Sequence, residues 1–284
     1  MPIFLALLFA TACGLDETGE DTIPDVSELS TVDIACLDEV LGEDEATPFT
    51  VAHKVENGEL GERCFGEPDQ RLVDAWSLLA SITPPGQLRD LGLFGGFEVA
   101  GDEDETTLAF VHPLDDDGTI FQMSLNLNAG DEDPNEFALT LAHEFSHVFT
   151  SVSTEIDRFA EPDDCETYFN GDGCFYDDAL MTEWIELFWS EQIDDIDPNE
   201  EPSNADGEQR CNLDPSFLGP YAASNPEEDF AESFLAFVFA LEVDTPELQA
   251  KMDWFAGLPG LAEFRTLADE SGLSPLQNNF EPCG

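Results

Sequence analysis

Residues 139–149 hold two histidines four positions apart, His143 and His147, with Glu144 after the first, in a segment otherwise dominated by Leu139, Leu141, Ala142, Phe145, Val148 and Phe149. On an α-helix, residues four apart lie on one face, one turn above the other. Both imidazoles can therefore aim at a single point, as the H-E-x-x-H pattern of a zinc site requires. Glu144 projects about 100° away around the helix, placed to handle a proton rather than to bind a metal. The apolar flanks predict burial on nearly every side. Asp133, Pro134 and Glu136 supply an N-cap, a proline at the first helical position and a capping-box glutamate. Of the four histidines in the chain, two stand here. The plain alternative is a helix with two histidines in register by chance.

The rest of the composition narrows the partners. The 284 residues carry 64 Asp plus Glu against 8 Lys plus Arg, a formal charge of −56. Such a surface repels nucleic acid and excludes it as a partner. Hydrophobic residues still make up 42% of the chain, with 23 phenylalanines, enough for a substantial core. Solvated acidity is the simplest reading of the charge, and calcium binding is its rival. Asp115, Asp116, Asp117 and Gly118, and Asp194, Asp195 and Asp197, are the acidic runs that calcium would use, although neither has EF-hand spacing.

The first thirteen residues form a short apolar run ending in Ala10, Thr11, Ala12 and Cys13. It is too short to span a membrane as a helix and reads as a targeting segment. Its end resembles a bacterial lipobox. That resemblance implies a signal peptide over residues 1–12, a lipid on Cys13, and an acidic tether over residues 13–30 leading to a domain over residues 31–284. Anchorage to a bacterial membrane is then expected, with a cleaved, secreted form as the alternative. Six of the seven cysteines remain for an oxidising compartment. The favoured pairs are Cys165–Cys174 and Cys36–Cys64, which leave Cys211–Cys283.

Along the chain, residues 67–82 show helical spacing, with Leu72, Ala75, Trp76 and Leu79 on one stripe and Pro84, Pro85 and Gly86 to end it. Residues 87–97 are apolar and glycine-rich, without a clear form. Two strand-like runs follow at residues 106–112 and 119–128, with Asp115 to Gly118 between them. The second alternates, so one buried face is expected, together with an accessible edge where an extended peptide could add as a strand. Residues 161–215 read as an acidic, disulfide-containing insertion beside the cleft. Within it a helix over residues 178–192 carries Met181, Trp184, Ile185, Phe188 and Trp189. Further helices are expected at residues 246–256 and 259–270.

No histidine follows His147, so the third protein ligand must be a carboxylate. The best candidates open a helix capped by Asn225, with Pro226 at its first position and Glu228 three after the cap. Glu228 and Glu232 share a face. Asp229 is the fallback ligand, and Glu228 could instead return to the Asn225 amide as a capping-box residue. His53 and His112 belong to no motif and are expected to be structural.

The H-E-F-S-H run followed by Y-x-x-[ST]-N-x-x-E-x-F-A-E-x-F resembles the gluzincin-type metallopeptidases related to anthrax lethal factor and the Pro-Pro endopeptidases. That resemblance implies Glu228 as third zinc ligand, Glu232 as partner of a ligand histidine, and Tyr221 as the phenol that steadies an oxyanion. The chain is thus expected to be an α+β, zincin-like domain. A small twisted sheet would pack on the active-site helix, followed by a mainly helical C-terminal part. One catalytic Zn2+, held by His143, His147 and Glu228, would serve peptide or protein substrates, with Glu144 as general base. The rival expectation is a non-catalytic surface lipoprotein that keeps such a fold to bind a partner or a metal.

Overall fold

The computed structural model describes residues 49–98, 107–196, 204–276 and 283. The signal peptide, Cys13 and the tether expected from the sequence lie outside these residues. Two strands, β1 (Phe49–Glu56) and β2 (Glu59–Gly66), open the described chain as a hairpin. Its two-residue turn uses Asn57 and Gly58, both at positive φ (56° and 81°), the conformation that matches strand twist. This hairpin was not expected. Helix α1 (Gln70–Ile82) follows, capped by Asp69 and buried along Leu72, Ala75, Trp76, Leu79 and Ile82. The glycine-rich run then resolves into a 3-10 turn and strand β3 (Leu91–Phe97).

Strands β4 (Ala109–Pro113) and β5 (Phe121–Asn126) complete a five-stranded mixed sheet of order β2-β1-β3-β5-β4, in which only β3 and β5 are parallel. The sequence reading of β5 needs correcting. It is an interior strand, buried at all six positions, and the sheet edge beside the long helix is β4. Gln122 and Ser124 on its polar face are buried and bonded to each other, Nε2 to Oγ at 2.8 Å, which offsets part of the cost of burying them. β5 leads through a short helix, α2 (Leu127–Glu132), into α3 (Pro134–Thr150), which carries the two histidines. Every residue of α3 from Phe137 onward is buried.

The C-terminal part is helical: α4 (Leu180–Phe188), α5 (Asn204–Cys211), α6 (Pro226–Val238), α7 (Pro246–Gly257) and α8 (Pro259–Glu270). An aromatic cluster joins it to α3. Phe149 packs edge-on against Phe234 at 5.1 Å, Phe234 against Phe264 at 5.1 Å, and Phe230 against both Trp184 and Phe255 at 5.2 Å. Such pairs add about 0.5–1.5 kcal/mol each beyond area burial. Trp184 of α4 lies inside this cluster, so the aromatic face of that helix is core. Between α3 and α4 a two-stranded sheet pairs β6 (Ile156–Asp157) with β7 (Cys174–Phe175). Disulfides join Cys165 to Cys174 and Cys211 to Cys283. Cys64 is also disulfide-bonded, and its expected partner, Cys36, lies outside the described residues. No helix among the described residues is long and apolar enough to cross a membrane.

A charge of −56 works against compaction by self-repulsion. Raising NaCl from about 0.1 M to 1 M shortens the Debye length from about 10 Å to 3 Å. The melting temperature followed by circular dichroism should rise across that range. A flat or falling trend would show that the acidic shell does not strain the fold.

Candidate metal centre

Helices α3 and α6 cross face to face, and the candidate site lies where they meet. Each helix start is fixed locally. Asp133 accepts from the amides of Asn135 and Glu136, and the Asn225 side chain accepts from the Glu228 amide at 2.8 Å. The Glu228 carboxylate does not return to its cap. It faces the histidines, with Oε2 at 3.1 Å from His143 Nε2 and 3.7 Å from His147 Nε2. The two Nε2 atoms stand 3.2 Å apart. One turn along α6, Glu232 Oε1 lies 2.8 Å from His143 Nδ1. A carboxylate there can only accept, so Nδ1 carries a proton, and Nε2 is the atom that faces the centre.

Three nearly inaccessible ligand atoms thus converge from His143, His147 and Glu228, all within 4.8 Å of one another. They are the one group of three or more histidine, cysteine or acidic side chains so arranged among the described residues. Glu228 Oε2 is buried, and the two imidazole nitrogens are its neighbours there. Two imidazole nitrogens facing each other beside a carboxylate oxygen form an electron-rich pocket that a cation would satisfy. The arrangement could hold a metal ion.

Burial opposes charge on Glu228, yet His147 and His143 outweigh it and hold this carboxyl well below its ordinary range. Burial would likewise depress His143, but Glu228 and Glu232 overcome it and hold the imidazole well above its usual value. A metal would replace that proton, so binding is coupled to proton release. Glu144 is wholly buried, and neither carboxylate oxygen has a hydrogen-bond partner among the described residues. Burial pushes its pKa up to about 7, against the pull of the two histidines. The Tyr221 ring stacks on His143 at 5.8 Å, and its hydroxyl is buried beside the Glu228 carboxylate. Burial, then the charge of Glu228, holds this phenol well above its usual value, so it remains a proton donor.

Asp229, the fallback ligand, points away. Its carboxylate takes Lys251 Nζ at 2.6 and 2.8 Å and the Trp189 indole N–H at 2.8 Å. Lys251 was not singled out from the sequence, although a basic residue was a visible rarity in so acidic a chain. Removing one partner from such a buried pair costs about 3–5 kcal/mol. His53 bonds through Nδ1 to the Gly61 carbonyl and His112 stacks on Phe110, both away from the centre. Neither acidic run gathers a calcium site among the described residues. Asp115 accepts from the amide and hydroxyl of Thr119 within its turn, and Asp197 lies outside the described residues.

Comparison with known proteins gives no match to any family model, curated protein or solved structure.

The raised pKa of Glu144 has a stability consequence in the metal-free protein. Below about pH 4.5 the carboxyl is protonated in both folded and unfolded chains and costs nothing. Between there and its folded value of about 7 the unfolded chain ionises first, so stability falls as pH rises. Glu144→Gln should therefore be more stable than wild type by about 3 kcal/mol at pH 8, the gain vanishing near pH 4. Urea denaturation in the presence of a chelator at both pH values measures this, and a pH-independent difference would contradict it.

Proposed function

We propose that the chain is a zinc-dependent endopeptidase with a zincin-like fold, of the gluzincin type that its motifs resemble. The observation that carries this reading is the convergence of His143, His147 and Glu228 beside an unpartnered Glu144. Ligand atoms about 2.0–2.1 Å from a tetrahedral zinc stand about 3.3–3.4 Å from one another. The separations of 3.1, 3.2 and 3.7 Å bracket that edge. Two imidazoles and one carboxylate also match the donor set of catalytic zinc, which leaves a position open.

When bound, zinc acts as a Lewis acid that acidifies water toward neutrality and polarises a carbonyl. Glu144 has the position and the near-neutral pKa to take a proton from the attacking water and return it to the leaving amine. The Tyr221 hydroxyl donates to the oxygen that gains charge on the scissile carbonyl. Glu232 keeps His143 in the tautomer that binding requires. An extended substrate would add to β4, which hydrogen-bonds to β5 alone among the described strands and packs against α3. The disulfides support an exported, oxidising location, in keeping with anchorage through Cys13.

Elemental analysis should find one zinc per wild-type chain and little in Glu228→Ala. Glu144→Gln should keep the zinc while cleavage of a peptide library falls by about 10²–10⁴-fold. Undiminished cleavage by Glu144→Gln would remove the general base from the scheme. Zinc retained by Glu228→Ala would move the third ligand elsewhere.

A further inference from the structure

The loop closed by Cys165–Cys174 reaches both helices that bear the candidate ligands. On one side its last residues form β7, which pairs with β6, and β6 lies just beyond the end of α3. Gly173 sits so close to Asp157 and Arg158 that a Cβ there would stand 2.6 Å from the Asp157 carbonyl oxygen. Arg158 fastens the same segment to the end of α3, donating to the Ser151 carbonyl at 3.2 Å. On the other side, the Tyr168 hydroxyl donates to Glu227 Oε2 at 3.3 Å. The Asn170 side chain also donates to Glu227, while its own oxygen accepts the amides of Asp172 and Gly173. Tyr168 is held flat against Phe175 at 6.0 Å and 7°.

Glu227 immediately precedes Glu228. The other neighbour of that ligand, Asp229, is pinned by Lys251 and Trp189. The first turn of α6 is thus gripped on both sides of the residue that faces the histidines. The grip on Asp229 comes from the C-terminal helices, whereas the grip on Glu227 comes from a segment tied to the end of α3. The second ties the first turn of α6, where Glu228 stands, to the segment that follows the histidine helix, in addition to the Glu232–His143 contact and the aromatic packing.

We propose that Tyr168 and Glu227 are positioning residues for the metal: the disulfide-closed loop spans from the end of α3 to the start of α6 and fixes Glu228 at ligand distance. This rests on the metal-binding part of the proposed function and is independent of whether a peptide is cut. Opening the Cys165–Cys174 bond would free the loop and loosen the metal without touching a ligand.

The test is the zinc dissociation constant, measured by competition with a chelating dye, for wild type, Tyr168→Phe, Glu227→Ala, their double variant and Cys165→Ser/Cys174→Ser. Tyr176→Phe, an exposed tyrosine just beyond the same loop, is the control. Outer partners of metal sites typically contribute about 10–100-fold in affinity, and Tyr168→Phe should weaken zinc about tenfold. Its melting temperature without metal should stay near that of wild type. Tyr168→Phe should add little in the Glu227→Ala background, because the carboxylate that the Tyr168 hydroxyl meets is already gone there. The double serine variant should weaken zinc at least as much. Unchanged affinity in Tyr168→Phe, beside a zinc-binding wild type, would overturn this inference and leave the proposed function standing. So would a loss that only tracks instability of the metal-free protein. A wild type that binds no zinc would overturn both.

Discussion

The imidazole of His143 is held at both nitrogens by carboxylates from a single helix, Glu232 at Nδ1 and Glu228 at Nε2. Much of the structure is the apparatus needed to keep those groups together away from water. An imidazole and two carboxylates are costly to bury unless each is paired. Pairing them requires α3 and α6 to meet at one rotation and one separation. The four-residue spacing of Glu228 and Glu232 matches one helical turn, so a single docking geometry satisfies both contacts at once.

Hydrophobic packing supplies that geometry. α3 is buried on all sides because the sheet covers one flank and the aromatic cluster around Phe149, Phe230 and Phe234 covers the other. Close-packed rings resist sliding, as cores transmit displacement rather than absorb it. The polar anchors then refine position. Asn225 fixes the start of α6, Lys251 holds Asp229, and Glu232 orients the ring of His143. Glu144 is left with two buried carboxylate oxygens that nothing else satisfies among the described residues.

The features legible in the sequence were those that depend on neighbours along the chain. Caps at Asp133 and Asn225, prolines at the first helical position, and apolar periodicity placed α1, α3, α6, α7 and α8 within a few residues. The Cys165–Cys174 pair was legible for the same reason, since only a short loop separates the two. What escaped was set by distant contacts. The β1–β2 hairpin carries an Asn-Gly turn, yet irregular register around His53 breaks the period-two pattern that would have revealed its strands. β5 looked half-exposed because its flanking strands, β3 and β4, are both chosen by tertiary pairing. Asp229 stood beside Glu228 as the fallback candidate, and Lys251, from another helix, claims it. The convergence of His143, His147 and Glu228 was anticipated from motif resemblance more than from local physics.

The Cys211–Cys283 bond has a topological meaning for this centre. It closes a covalent ring of chain around α6, α7 and α8, with Glu228 and Glu232 inside it and both histidines outside. The candidate centre therefore straddles a ring and the chain that leads into it, joined there by packing and hydrogen bonds. A cation shared by His143, His147 and Glu228 would act as a further, reversible cross-link between the two. Should the chain be cut once within the ring, its halves would remain tethered, and the metal would still bridge the seam where they meet the rest.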